Sequence, residues 1–133
     1  MQISNSEKRL MDILWQDSTI GAPISAKRII EQLGHKTDWH DKTIKTLLNR
    51  LLKKQAIGFR KKGREYQYYP ILAQKDYVEV AADHFLNRVF NGSVSALVAS
   101  FAKQEKLTDQ DLSELKSLIH EMEKSTKGDK NND

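Results

Sequence analysis

Asp41-Lys42-Thr43-Ile44-Lys45-Thr46-Leu47-Leu48-Asn49-Arg50-Leu51-Leu52-Lys53-Lys54 places an apolar side chain every three or four positions. Ile44, Leu47, Leu48, Leu51 and Leu52 form one stripe, which predicts a helix with a single buried face. After Gln55-Ala56 the period changes. Ile57-Gly58-Phe59-Arg60-Lys61 and Glu65-Tyr66-Gln67-Tyr68-Tyr69 read as two short strands. Lys62-Gly63-Arg64 between them is a turn in which Gly63 takes a positive φ at no steric cost, and Pro70 ends the second strand.

Two further helices precede this unit. Ser4-Asn5-Ser6-Glu7 has the spacing of a capping box, and Leu10, Met11, Leu14 and Trp15 follow at helical intervals to about Gln16. Gly21 and Pro23 break the pattern. Ser25 then caps a short helix bearing Ile29, Ile30 and Leu33 and stopped by Gly34, before a linker around Lys36–Trp39. Trp15 and Trp39 are read as core anchors, and Tyr66 and Tyr68, two apart on one strand face, as packing on the helices. Three helices and a two-stranded hairpin make a winged helix-turn-helix over residues 1–73.

Charge supports a reader of polyanions. The 133 residues hold 22 Lys and Arg against 18 Asp and Glu, a net +4. Residues 1–73 carry 14 against 7, a net +7, and residues 74–133 carry 8 against 11, a net −3. From Lys42 to Arg64 there are nine basic residues and no acid. A solvated helix face usually mixes signs, so a one-sign block of this density points to a polyanionic partner. In helix-turn-helix proteins the second helix of the motif enters the major groove, its N-terminus leading. Lys42, Thr43, Lys45 and Thr46 are therefore the candidate base-facing group, Lys for guanine O6/N7, and Thr through a hydroxyl for base edges and a methyl to pack on thymine. Arg50, Lys53, Arg60, Lys61, Lys62 and Arg64 are candidates for the DNA backbone. Lys54 has a plainer use, complementing the helix C-terminus.

From residue 74 the chain is helical again. Tyr77, Val80, Ala81, Phe85, Val89 and Phe90 mark one long helix ended at Asn91-Gly92. Ser93 caps a second with Val94, Leu97, Val98 and Phe101. Thr108-Asp109-Gln110-Asp111 opens a third with Leu112, Leu115, Leu118, Ile119 and Met122. So few residues leave more apolar surface than one copy can bury, and self-association is the usual remedy. Residues 74–124 are therefore expected to form a helical dimerisation region through Tyr77, Phe85, Val89, Leu97, Val98, Phe101, Leu112, Leu115, Leu118 and Ile119. Residues 125–133 should be a flexible polar tail. The fold class is thus mostly α: a winged helix-turn-helix, then three C-terminal helices.

Several classes of function lose support. The absence of cysteine excludes disulfides, thiolate metal sites, a Cys nucleophile and sulfur redox sensing. His35, His40, His84 and His120 lack metal-ligand spacing, and no nucleophile-elbow or phosphate-loop motif occurs. No enzyme activity, metal or cofactor is expected. No apolar run approaches the roughly 20 residues that span a bilayer, so membrane insertion is not expected. The first residues lack the layout of a signal peptide, and a cytoplasmic protein is expected.

The strings Leu14-Trp15, Trp39-x-x-Lys42-Thr43-Ile44-Lys45-Thr46-Leu47-Leu48-Asn49-Arg50-Leu51, Gly63-Arg64-x-Tyr66-x-Tyr68 and Phe85-Leu86-x-Arg88-Val89-Phe90-x-Gly92-Ser93 resemble the penicillinase-repressor family (BlaI/MecI/CopY type). The similarity runs from about Ile3 to Ile119. It implies a homodimeric repressor on a palindromic double-stranded DNA operator, with the C-terminal helices forming the dimer. In the beta-lactamase branch it implies release by a membrane sensor-protease that cuts the dimerisation region between an Asn and a Phe. The aligned segment here is Leu97-Val98-Ala99-Ser100-Phe101, so Ser100–Phe101 is the candidate cleavage bond, with Ser100 in the place of that Asn. Phe101 also fits the apolar stripe as a plain packing residue. The cysteine-rich metal site of the copper branch is excluded. His40 replaces a usual capping Ser, and Gln55 replaces a usual Gly after the recognition helix. The alternative function is a winged-helix module that binds RNA or an acidic protein without operator specificity.

Overall fold

Ser4 and Glu7 close the expected capping box: the Glu7 N–H donates to Ser4 Oγ at 3.1 Å and the Ser4 N–H to Glu7 Oε1 at 3.0 Å. They start α1 (Asn5–Asp17) in a computed structural model that describes residues 1–131, without the side chains of 127–131. A bound turn from Thr19 to Ala22 leads into β1 (Ile24–Ser25), and Ser25 Oγ accepts from the Arg28 N–H to cap α2 (Ala26–Gly34). Thr37 then organises the linker: its N–H and its hydroxyl both reach the Leu33 carbonyl, at 2.8 and 2.9 Å. α3 (Asp41–Lys53) follows, with His40 as an N-cap whose side chain makes no capping bond.

The helix stripes meet in one core. Leu10, Met11 and Leu14 of α1, Ile29 and Leu33 of α2, and Ile44, Leu47, Leu48 and Leu51 of α3 are all buried. Trp15 and Trp39 pack against this cluster as half-buried side chains. The Trp15 indole N–H also donates to the Leu72 carbonyl at 2.8 Å, and its ring lies 5.5 Å from that of Tyr77. Tyr77, one of the residues expected to serve dimerisation, thus also meets Trp15 within its own chain.

Past α3 the chain turns through Gln55 at φ 63, the left-handed region. The Gln55 N–H donates to the Leu52 carbonyl and the Ala56 N–H to the Leu51 carbonyl, the two bonds of a Schellman stop. β2 (Ile57–Lys62) and β3 (Glu65–Pro70) are the expected hairpin. Gly63 has φ 65 at the first loop position and Arg64 has a negative φ, the pattern of a II′ turn. The sheet has three strands, not two, because β1 pairs antiparallel to β3 through Ile24 with Tyr68 and Ser25 with Gln67. A strand of two residues carries no periodicity, which is why the sequence conceals it.

The chain divides into two compact units, Met1–Val80 and Ala81–Asp133. The boundary falls inside α4 (Gln74–Phe90), past the junction at residues 73 and 74 expected from charge. In the second unit Asn91 and Gly92, with φ 52 and 84, end α4. Ser93 caps α5 (Val94–Lys103) by accepting from the Ala96 N–H. Thr108 and Asp111 exchange bonds of 3.0 Å at the start of α6 (Asp109–Asn131). The helix therefore continues through residues 125–131, where a polar tail was expected; 132 and 133 lie outside the described residues. The helix bonds are local and carry through a polar run that has no apolar stripe. Among the described residues no helix is long and apolar enough to cross a membrane.

Candidate nucleic-acid interface

The buried stripe of α3 fixes what faces outward. With about 100° of rotation per residue, Ile44, Leu47, Leu48 and Leu51 point to the core, and the side opposite carries Lys42, Thr46, Asn49 and Lys53. Lys45 lies on one flank of that outward stripe, and Thr43 and Arg50 on the other. All seven are exposed. The candidate residues of α3 thus share one surface, with Lys42 and Thr46 at its centre. The Thr46 hydroxyl donates to the Lys42 carbonyl at 2.9 Å, which leaves its methyl group and oxygen lone pairs presented outward. His40 caps without a side-chain bond, so first-turn amides of α3 stay open to water or an anion.

Asn49 received no role from the sequence reading. Its spacing of seven from Lys42 and three from Thr46 was the available signal. It lines a shallow depression with Thr46, Arg50, Leu52 and Lys53. Lys27 and Arg28, exposed in the first turn of α2, were also passed over. The first helix of a helix-turn-helix crosses the DNA backbone, which suits cations there. Arg28 lies 3.9 Å from Asp17 Oδ2, a loose surface pair.

The wing presents the second group. Arg60, Lys61, Lys62 and Arg64 are exposed along β2 and the turn. The Arg60 guanidinium sits 5.8 Å from the Tyr69 ring centre, and the Lys61 ammonium 6.0 Å from that of Tyr66. Tyr69 itself lies across Gly58, where an added Cβ would come within 2.6 Å of the ring. Phe59, Lys61, Tyr66 and Tyr68 share one strand face by register. Tyr68 is 7% exposed but Tyr66 is 47% exposed and meets Phe59 edge-on at 5.0 Å. The expectation that both tyrosines pack on the helices holds for Tyr68 alone, because β1 reaches only to Gln67 and the hairpin outruns its cover.

One cation of the basic block is used internally. Lys54 Nζ is 2.6 Å from Glu7 Oε1 and 2.8 Å from the Gln2 carbonyl. Among the described residues no other cation from Lys42 to Arg64 forms an ion pair. The remaining eight therefore stand uncompensated over α3 and the wing, and the surface attracts anions.

In the second unit Phe85, Val89, Leu112, Leu118 and Ile119 are exposed, while Leu97, Val98, Phe101 and Leu115 are half-buried. Ser100 and Phe101 lie inside α5, both half-buried, and Ser100 Oγ accepts from Gln104 Nε2 at 3.1 Å.

The sequence model described as Penicillinase repressor matches residues 3–121. A penicillinase repressor of Bacillus licheniformis is 35% identical over 120 residues, 90% of this chain and 91% of that protein. The methicillin resistance regulatory protein MecI of Staphylococcus aureus (strain N315) is 33% identical over 119 residues, 90% of this chain and 94% of that one. The solved DNA-binding domain of the repressor BlaI is 37% identical with a TM-score of 0.51, covering 57% of this chain and 88% of its own. The chain belongs to the penicillinase repressor family.

Proposed function

We propose that the protein is a transcriptional repressor that binds a palindromic DNA operator as a homodimer. The observation that carries this is the outward face of α3. Lys42, Thr43, Lys45 and Thr46 crowd its first turns, opposite a buried stripe, with uncompensated cations on the neighbouring wing. Such a surface suits a groove whose floor is read by hydrogen bonds and methyl contacts and whose walls are phosphates. The names of the relatives support the same reading. An RNA or acidic-protein partner bound without sequence preference would need charge but no readout group, and Thr46 at the centre of the stripe favours DNA.

Homodimerisation rests on the apolar side chains of α4 and α6 that one chain leaves in water. Phe85, Val89, Leu118 and Ile119 are between 40% and 56% exposed. A palindromic operator follows from a two-fold dimer, because each recognition helix then reads the same half-site.

Relief of repression by cutting Ser100–Phe101 is the finer part of the reading, with a membrane sensor-protease as the partner. A protease needs extended backbone, so a bond inside α5 is cut only after local opening. Footprinting on the protein's own upstream DNA tests the repressor function; a protected dyad is expected, and its absence at moderate salt overturns it. Mass mapping after exposure to a cognate sensor-protease tests the cleavage; fragments ending elsewhere than Ser100 overturn that bond.

A further inference from the structure

We infer that Asn49 reads an adenine in the operator half-site. This rests on the operator-binding reading and goes beyond it, since it assigns a base to a residue outside the first turns of α3. Asn49 lies on the outermost line of the helix, two turns and about 10 Å beyond Lys42. It is exposed, and among the described residues its side-chain amide enters no hydrogen bond. The cations Lys45 and Arg50 flank it on either side, where the walls of a groove carry phosphate. The centre of the stripe is left to groups that face the floor.

The chemistry of that line is complementary, not redundant. Lys42 offers only donors and suits guanine, whose major-groove edge has two acceptors. Thr46 has its hydroxyl proton committed to the Lys42 carbonyl and offers a methyl group, which suits the thymine methyl. Asn49 alone on this line offers a donor and an acceptor side by side. Adenine presents the matching pair, an N7 acceptor beside an N6 donor, and an amide bonds both at once. The half-buried Leu52 lines the adjoining depression beside Asn49, with Thr46, Arg50 and Lys53.

The test uses the full chain and a duplex recovered by selection from random DNA. Each adenine of the half-site is replaced in turn by 7-deazaadenine, which lacks only the N7 acceptor. For the unaltered protein, one adenine beyond the thymine and guanine contacts should be sensitive, with a loss of roughly 10-fold. In Asn49→Ala that position should become insensitive while the other sensitivities and the affinity for random duplex persist. Asn49→Ala weakening selected and random duplexes equally, or leaving the 7-deazaadenine profile unchanged, overturns the inference alone. Failure of the unaltered protein to select any sequence overturns the operator reading with it. Because Asn49 is exposed, the variant should keep its thermal melting profile, which serves as the folding control.

Discussion

Lys54 at the C-cap of α3 holds Glu7 in the first turn of α1, with Nζ and Oε1 2.6 Å apart and Glu7 only 2% exposed. The pair joins residues 47 positions apart and fixes the end of the recognition helix against the start of the chain. The other carboxylate oxygen, Glu7 Oε2, has no hydrogen-bond partner among the described residues. The buried carboxylate thus depends on Lys54 and Ser4.

Burial by itself would raise the Glu7 carboxyl, but the bonds from Lys54 and Ser4 outweigh it and hold the group below its ordinary value of 4.5. A carboxyl depressed in the folded state binds its proton more readily in the unfolded one. Its stabilisation is therefore complete above pH 4.5 and lost as pH falls through the folded-state value. Thermal melts should show wild type losing its advantage over Glu7→Gln across that acid range. At neutral pH Lys54→Ala should cost about 2 kcal/mol, less than a fully buried pair because Lys54 is partly in water. DNA affinity per folded molecule should change little.

Gln55 carries backbone strain at the end of α3. Its φ of 63 closes the Schellman stop of α3, and a side chain in that region costs about 1 kcal/mol. Gln55→Gly should therefore raise stability by roughly 0.5–1 kcal/mol, part of the gain being lost to the freer unfolded chain. In a domain of this size that is a rise in Tm of a few degrees, readable by circular dichroism. Lys54→Gly, at a right-handed position one residue earlier, should instead lower it.

These cases mark how far the sequence could be read. Every helix cap at Ser4, Ser25, Ser93 and Thr108 was legible because a cap is a local bargain between residues three apart. The stripe of α3 was legible because 3.6-residue periodicity reports which face is buried. Periodicity says nothing about how far the cover extends, so Tyr66 and Tyr68 looked alike although only Tyr68 meets the core. Nor does it show long-range partners. The uses of Lys54 against Glu7, and of Trp15 against Leu72 and Tyr77, exist only once α1, α3 and the start of α4 are folded together.

Thr46 and Lys62 should fail differently when changed. The Thr46 hydroxyl proton is turned back to the helix, so the methyl group is the outward reading element. Thr46→Ser, which keeps the hydroxyl, should then relax preference at one base pair nearly as much as Thr46→Ala. Lys62→Ala removes a wing cation with no acidic partner among the described residues. It should weaken selected and random duplexes alike and lower the salt slope by about 0.9. Fluorescence anisotropy titrations from low to moderate salt separate the two behaviours.

Ile119 is 54% exposed on α6, beside Leu118 at 56% and three residues before Met122 at 68%. A helix that leaves three large apolar groups in water loses about 1 kcal/mol or more per side chain unless a second surface covers them. If that surface is a second copy, a charge placed there is desolvated on assembly and destabilises the dimer without touching the recognition unit. Ile119→Glu should sediment as a monomer at concentrations where wild type is dimeric. The melting of the Met1–Val80 unit, whose core draws on none of these residues, should be unchanged. Affinity for the full palindrome should fall to that for a half-site, while half-site affinity itself stays the same. A variant that remains dimeric, or that loses half-site binding as well, would show that α6 serves the fold of its own chain.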